Sequence, residues 1–424
     1  MSASSITLLF LLFAIVMFVW EKIPLALTAM IVCIGLVVTG VLEPKTAFLG
    51  FIDSNVILFV AMFIIGGALF ETGMANKIGG LVSRFAKTER QLTVALMLIT
   101  GLMSGFLSNT GTAAILIPVV IGIATRSGFS RSRLLMPLVF AAAMGGNLSL
   151  IGAPGNLIAQ GLLEQNGMKF GFFEYAKVGL PILITGIIYF VLIGYKFLPG
   201  KENLSLEDSI YSGKTHDYDS VPKWKQNLSL ITLVITLLAM VFEDVIGVKL
   251  YISACVGAIL LVTARVITEK QAYQSIDSQV IFLFGGTLAL AAALKETGAG
   301  AEIAGTIIGL LGSNPSPFAL LVTVFVLSCI LTNFMSNTAT TALLAPICLS
   351  IANQLGADPR AVLMATVIGA SCAYATPIGM PANTMILSIG GYKFMDYVKA
   401  GLPLIVVSTV VSLILLPLFF PFYP

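Results

Sequence analysis

No Asp, Glu, Lys or Arg occurs between Arg90 and Arg126, Arg133 and Glu164, Glu302 and Asp358, or Arg360 and Lys393. A helix crossing the hydrocarbon of a bilayer needs roughly 20 apolar residues, and each of these uncharged runs is longer. Charged residues make up 10% of the 424 and apolar types 58%, against roughly 25% charged in a soluble domain. Such a chain is an all-α polytopic membrane protein, because helices satisfy their own backbone where water is absent. The first five residues carry no basic segment, and the apolar run 6–19 leads quickly into another from Leu25. This start reads as a first span rather than a cleaved leader. The five cysteines (Cys33, Cys255, Cys329, Cys348, Cys372) lie in apolar segments without metal spacing and read as small core residues. A net charge of +3 suggests no nucleic-acid partner.

Apolar runs predict about 10 transmembrane spans, at 6–20, 23–42, 54–70, 134–162, 178–198, 227–242, 249–267, 279–294, 360–389 and 401–420. Two further runs, 92–124 and 317–352, are too long for one helix, and Ser-Asn-Thr interrupts each near its middle. These predict re-entrant helical hairpins with polar tips, since non-helical backbone survives at membrane depth only inside protein or beside water. With the N-terminus outside and each hairpin returning to its own side, 17 Lys/Arg fall on cytoplasmic segments and 6 outside. The carboxylates divide 11 to 9, so the bias belongs to the cations, as the positive-inside rule expects. The polar stretch 200–226, with the only histidine (His216), reads as a solvated cytoplasmic linker.

Segments 108–124 and 336–352 are identical at 9 of 17 positions, at an offset of 228 (336 − 108). Glu-Thr-Gly recurs at 71–73 and 296–298, an offset of 225, and Gly-x-Pro-x-Asn at 152–156 and 379–383, an offset of 227. Three landmarks in one order make an internal duplication. The first repeat spans 1–199, with scaffold spans 6–70, hairpin 92–124 and broken helix 134–162. The second spans 227–424, with scaffold spans 227–294, hairpin 317–352 and broken helix 360–389. Each half crosses five times, an odd count, so the second enters from the opposite side and the repeat is inverted, a plan of many secondary transporters. A two-fold axis in the membrane plane then brings the hairpin tips together.

Ser, Asn and Thr leave helices readily because their short side chains bond nearby backbone. At a break they free hydroxyls and carbonyls for a hard cation, and amides for an anion; helix N-termini add unpaired N–H groups and partial positive charge. In Gly-x-Pro-x-Asn, glycine permits unusual φ and proline lacks the N–H that bonds the preceding turn. Asn156 and Asn383 then orient the break or touch substrate. A lone Ser-Asn-Thr more often joins helices than binds a ligand; both breaks in both halves favour a site. The broken segments hold no cation, so an anion there needs amide dipoles or co-bound cations, and neutral oxygens suit Na⁺.

With these motifs in place, the chain resembles the divalent anion/sodium symporters, the INDY-type dicarboxylate and sulfate carriers of the ion transporter superfamily. The likeness covers both Ser-Asn-Thr hairpins, both broken helices and the ending "GGYKFMDYVKAGLPL" (390–404). The resemblance implies a homodimer in the cell membrane, with a scaffold and an elevator-like transport part. It implies that Asn109, Thr110, Asn337 and Thr338 hold the substrate, with Pro381, Asn156 and Asn383 beside them. It places one Na⁺ near Ser104, Ser108, Asn109 and the carbonyl of Gly152, and another near Thr332, Met335, Asn337 and Gly379. The family often has Thr before the second broken-helix proline, where this chain has Met380, and Ala153 is the first-half counterpart. The expected activity is Na⁺-coupled uptake of a divalent anion, a C4-type dicarboxylate. Sulfate or another oxyanion, and a Na⁺-independent dicarboxylate exchanger, are the alternatives. An antiporter wants a midplane carboxylate and an intramembrane protease wants a nucleophile with its base. Neither is present at the breaks, so no enzymatic activity is expected.

Overall fold

The computed structural model describes residues 1–20, 22–80, 88–200, 221–311 and 316–422. Most of the linker, including His216, and the basic residues Arg84 and Lys87 lie outside the described residues. Among the described residues every regular element is helical. Each half opens with three main helices: Ala3–Trp20, Leu25–Val38 and Ser54–Glu71 in the first, Lys223–Val241, Leu250–Thr263 and Ser278–Glu296 in the second. Hairpins follow, with arms Glu89–Ser104 and Asn109–Ser127, then Pro317–Thr332 and Asn337–Leu355. The broken helices are Arg131–Gly145 with Pro154–Glu164, and Pro359–Ala370 with Pro381–Ile389. Ala176–Leu192 and Phe394–Phe419 close the halves.

The same local physics sets the boundaries twice. Asp53 and Asp277 cap the third of these helices in each half, Ser54–Glu71 and Ser278–Glu296, accepting from the N–H of Asn55 at 2.8 Å and of Gln279 at 3.0 Å. Glu-Thr-Gly recurs because that helix must stop: Gly73 and Gly298 both take φ of 74°, a left-handed terminus that costs glycine least. The second arm of each hairpin likewise stops at Gly128 and Gly356, with φ of 69° and 63°.

Packing exchanges partners between the halves. Leu25–Val38 lies on Ser278–Glu296, and Leu250–Thr263 lies on Ser54–Glu71. Pro154–Glu164 packs on Asn337–Leu355, and Pro381–Ile389 on Asn109–Ser127. Both pairings follow from a two-fold relation between inverted repeats, and they place each broken helix against the other half's hairpin. Phe394–Phe419 leaves an apolar stripe outward (Leu402, Val406, Val410, Ile414, Leu418) at four-residue spacing, which is one face of the helix. Among the described residues, six helical segments have the length and apolarity to cross a membrane, and six shorter apolar helices of 10–17 residues accompany them. Short helices that the apolar runs do not predict, Met74–Gly80, Glu269–Ser275 and Ala299–Leu311, lead into the hairpins or turn the chain between spans. The second half's first helix also begins within the expected linker, at Lys223.

Candidate functional site

Both hairpin tips face one cavity of about 530 Å³. Asn109, Thr110, Asn337 and Thr338 line it, as do Ser108, Ser336, Gly152, Ala153, Asn156, Met380 and Pro381. Phe59, Phe63 and Phe70 of the helix Ser54–Glu71 form an apolar wall, and exposed Glu71 and Asp277 also border it. Lys, Arg and His are absent from the described lining residues.

The tips are built alike. Ser108 caps the arm Asn109–Ser127 by accepting from the Gly111 N–H at 3.1 Å, and Ser336 caps Asn337–Leu355 by accepting from the Ala339 N–H at 3.2 Å. The serine of each motif therefore ends the break, and the asparagine behind it starts the new helix. Ser104 Oγ lies 2.6 Å from Asn109 Oδ1 and 2.7 Å from the Ala142 carbonyl oxygen. Thr332 Oγ1 repeats this with Asn337 Oδ1 at 2.8 Å and with the Ala370 carbonyl.

The inward-facing atom of the Asn109 amide also lies 3.2 Å from Ala142 O and 3.3 Å from Gly152 O. With nitrogen there, the amide donates to both carbonyls. With oxygen there, four neutral oxygens converge, an arrangement a hard cation stabilises. Gly152 is required at this point, because a Cβ would stand 2.5 Å from Gly146 O and 3.1 Å from Gly105 O. Gly379 is confined in the same way, with a Cβ 2.6 Å from Thr332 O. Met335 is buried just before the second motif, its N–H bonded to Leu331 O at 3.0 Å.

Asn156 and Asn383 hold the breaks closed on themselves. Asn156 Nδ2 donates to Gly146 O at 2.9 Å and Ser149 O at 2.7 Å; Asn383 Nδ2 donates to Ala373 O at 2.8 Å and Thr376 O at 3.0 Å. Both side chains are fully buried, and Asn383 is not part of the cavity wall. Their amide nitrogens are thus committed to backbone carbonyls that the interrupted helix leaves unpaired. The hydroxyls of Ser149 and Thr376 add matching bonds to Gly105 O and Asn333 O.

Two tyrosines complete the scheme. Tyr175 OH donates to Asn156 O at 3.0 Å and Tyr397 OH to Asn383 O at 2.6 Å. A fourth repeat landmark carried this signal: "YAKVGLP" at 175–181 and "YVKAGLP" at 397–403 share five of seven residues. Its glycines face the breaks, where a Cβ on Gly179 would meet Asn147 O and one on Gly401 would meet Tyr374 O. Tyr175→Phe and Tyr397→Phe should each lower thermal stability by about 1 kcal/mol, the net value of one hydrogen bond. Unfolding of the purified variants in detergent checks this.

A helical inverted repeat with two hairpin tips on one cavity defines a multi-pass membrane transporter. The chain belongs to the citrate transporter family, whose model matches residues 15–369 and also 250–423. It is 30% identical to a transporter of Haemophilus influenzae over 95% of this chain and 88% of that one. It is 25% identical to the transporter YfbS of Escherichia coli, covering 96% and 98%. The sodium-dependent dicarboxylate transporter SdcS of Staphylococcus saprophyticus is 24% identical over 92% of this chain and 81% of its own. The fold matches the crystal structure of the YdaH transporter of Alcanivorax borkumensis, with a TM-score of 0.68 at 15% identity and 97% coverage of each chain. It matches MtrF of Neisseria gonorrhoeae with a TM-score of 0.64, also at 15% identity, covering 100% of this chain and 97% of that one. Family and fold neighbours are transporters, not enzymes.

Proposed function

We propose that the protein takes up a divalent anion, a C4-type dicarboxylate, in symport with Na⁺. The observation that carries this reading is a cavity bounded by two Ser-Asn-Thr tips with no described Lys, Arg or His in its wall. Each helix N-terminus supplies about half a positive charge, so two tips offset only part of a dianion. The border residues Glu71 and Asp277 are acidic and oppose an unaccompanied anion. Cations entering with the substrate supply the remainder.

On this reading Asn109, Thr110, Asn337 and Thr338 hold the two carboxylates, with Pro381 beside them. One Na⁺ lies among Ser104, Asn109, Ala142 and Gly152, next to the capping Ser108. A second lies among Thr332, Met335, Asn337 and Gly379. Asn156 and Asn383 act on substrate indirectly, by fixing the broken helices. Hairpins and broken helices move as one elevator body against the scaffold, in a homodimer in the cell membrane. With the N-terminus outside, Glu71 and Asp277 are cytoplasmic, and the cavity opens inward. The sodium-dependent dicarboxylate transporters among the relatives support this assignment.

Uptake of labelled butanedioate into proteoliposomes tests the proposal. An inward Na⁺ gradient should raise uptake at least about tenfold, and C4-dicarboxylates should compete where sulfate does not. Competition by sulfate alone points to an oxyanion carrier; exchange indifferent to Na⁺ points to an exchanger. Ser104→Ala and Thr332→Ala each remove one neutral cation ligand. Each should raise the Na⁺ concentration for half-maximal uptake about tenfold, the effect of roughly 1.4 kcal/mol, with protein yield maintained.

A further inference from the structure

The cavity is not symmetric about its two tips. Beyond the Ser-Asn-Thr motifs, its wall includes three hydroxyls from the second half: Ser275, two residues from the border residue Asp277 and donating to Gln271 O at 2.8 Å, and, nearer the tips and breaks in the chain, Thr341 and Ser371. Thr341 stands four residues after Asn337, on the same helix face. At the repeat offset of 228 their counterparts are Ala113 (341 − 228) and Ala143 (371 − 228), neither with a hydroxyl and neither in the wall. The offset is anchored structurally, since Ser104 reaches Ala142 O as Thr332 reaches Ala370 O. Opposite Thr341 is Gly155 of the first broken helix, where a Cβ would come within 2.8 Å of Thr341 Oγ1. Glycine there leaves room for the hydroxyl.

The protons of these hydroxyls are already engaged. Thr341 Oγ1 donates to Asn337 O at 3.1 Å. Ser371 Oγ donates to Asn147 Oδ1 at 2.9 Å or Val367 O at 3.1 Å. A hydroxyl has one proton and two lone pairs, so what Thr341 and Ser371 retain for a ligand is acceptor capacity. An additional carboxylate would bring acceptors to acceptors. A substrate hydroxyl would bring the donor they lack.

We propose that Thr341 and Ser371 are specificity-determining residues that accept a hydrogen bond from a hydroxyl on the carbon chain of the dianion. The preferred substrate is therefore a 2-hydroxy C4-dicarboxylate over its unsubstituted analogue. This rests on the anion-transport reading above. It also gives hydroxyls to a cavity that has Met380 and Ala153 ahead of its broken-helix prolines: Thr341 comes from the hairpin arm, and Ser371 ends the helix before the second break.

The test is equilibrium binding to the purified full-length protein at fixed, saturating Na⁺. The probes are 2-hydroxybutanedioate, butanedioate and propane-1,2,3-tricarboxylate. The wild type should bind the hydroxy acid about tenfold more tightly than butanedioate, as one well-placed hydrogen bond allows, and the tricarboxylate no better than butanedioate. Thr341→Val keeps the shape and removes the hydroxyl, and should bring the ratio to about threefold or less. Thr341→Ser keeps the hydroxyl and should retain the ratio, and Ser371→Ala should lower it. Alanine at the counterpart of Ser371 shows that this fold accommodates it. Equal binding of the two four-carbon acids by the wild type, a ratio unchanged in Thr341→Val, or tightest binding of the tricarboxylate overturns the proposal while leaving anion transport standing. Binding of none of the three overturns both.

Discussion

Asn109→Ala and Asn337→Ala are each expected to cut transport at least about 100-fold while leaving folded, membrane-inserted protein. Each side chain stands at the first position of a hairpin arm and faces the shared cavity. On the proposed reading, alanine removes a hydrogen bond to a charged ligand, a loss of about 1.5–3 kcal/mol, and also the amide atom that Ser104 or Thr332 approaches. Together the losses exceed about 2.8 kcal/mol, or about 100-fold. The fold should survive because the helix caps belong to Ser108 and Ser336, not to the asparagines. Uptake per milligram of reconstituted protein, with gel-filtration behaviour as the folding control, checks both variants. Retention of uptake in both would make the tips structural joints.

Gly152→Ala should be comparably damaging by a different route. Its Cβ would stand 2.5 Å from Gly146 O, so backbone must move in a crowded interior, at a cost of about 1–3 kcal/mol. The movement displaces the Gly152 carbonyl, which lies 3.3 Å from the Asn109 amide. Transport should fall at least about tenfold, together with Na⁺ affinity. Gly66→Ala is the control: it also lines the cavity, but its Cβ would meet only Leu107 at 3.5 Å. It should transport within about twofold of wild type, since 3.5 Å is ordinary contact. Equal activity of the two alanine variants would separate Gly152 from the site.

The duplication could be read from the chain because inverted symmetry must be encoded twice. Ser-Asn-Thr, Glu-Thr-Gly and Gly-x-Pro-x-Asn each terminate or start a helix by local chemistry, and local chemistry is written in adjacent residues. The bonds that stabilise the breaks were less legible. Ser149 reaches back 44 residues to Gly105 and Tyr175 reaches 19 to Asn156, and nothing in their immediate neighbours announces the partner. The repeated "YxKxGLP" marks the tyrosines, but the sequence does not show that their hydroxyls reach Asn156 O and Asn383 O. For Asn156 and Asn383 the sequence leaves two roles open, orienting the break or touching substrate. Each amide nitrogen is shared between two carbonyls freed by the break, and Asn156 also lines the cavity. Thr341 and Ser371 carry no distinguishing mark in the sequence, since only the cavity separates them from hydroxyls that join helices.

The most direct measurement of Na⁺-coupled anion transport is substrate affinity across a Na⁺ titration, with choline replacing Na⁺ at constant ionic strength. A dianion held by two helix N-termini and no fixed cation should bind progressively more tightly as Na⁺ rises. The gain should reach at least about tenfold, equivalent to roughly 1.4 kcal/mol of coupling, and should shrink in Ser104→Ala and Thr332→Ala. Affinity and uptake that stay level from zero to saturating Na⁺, with rapid exchange against internal anion, would contradict the account.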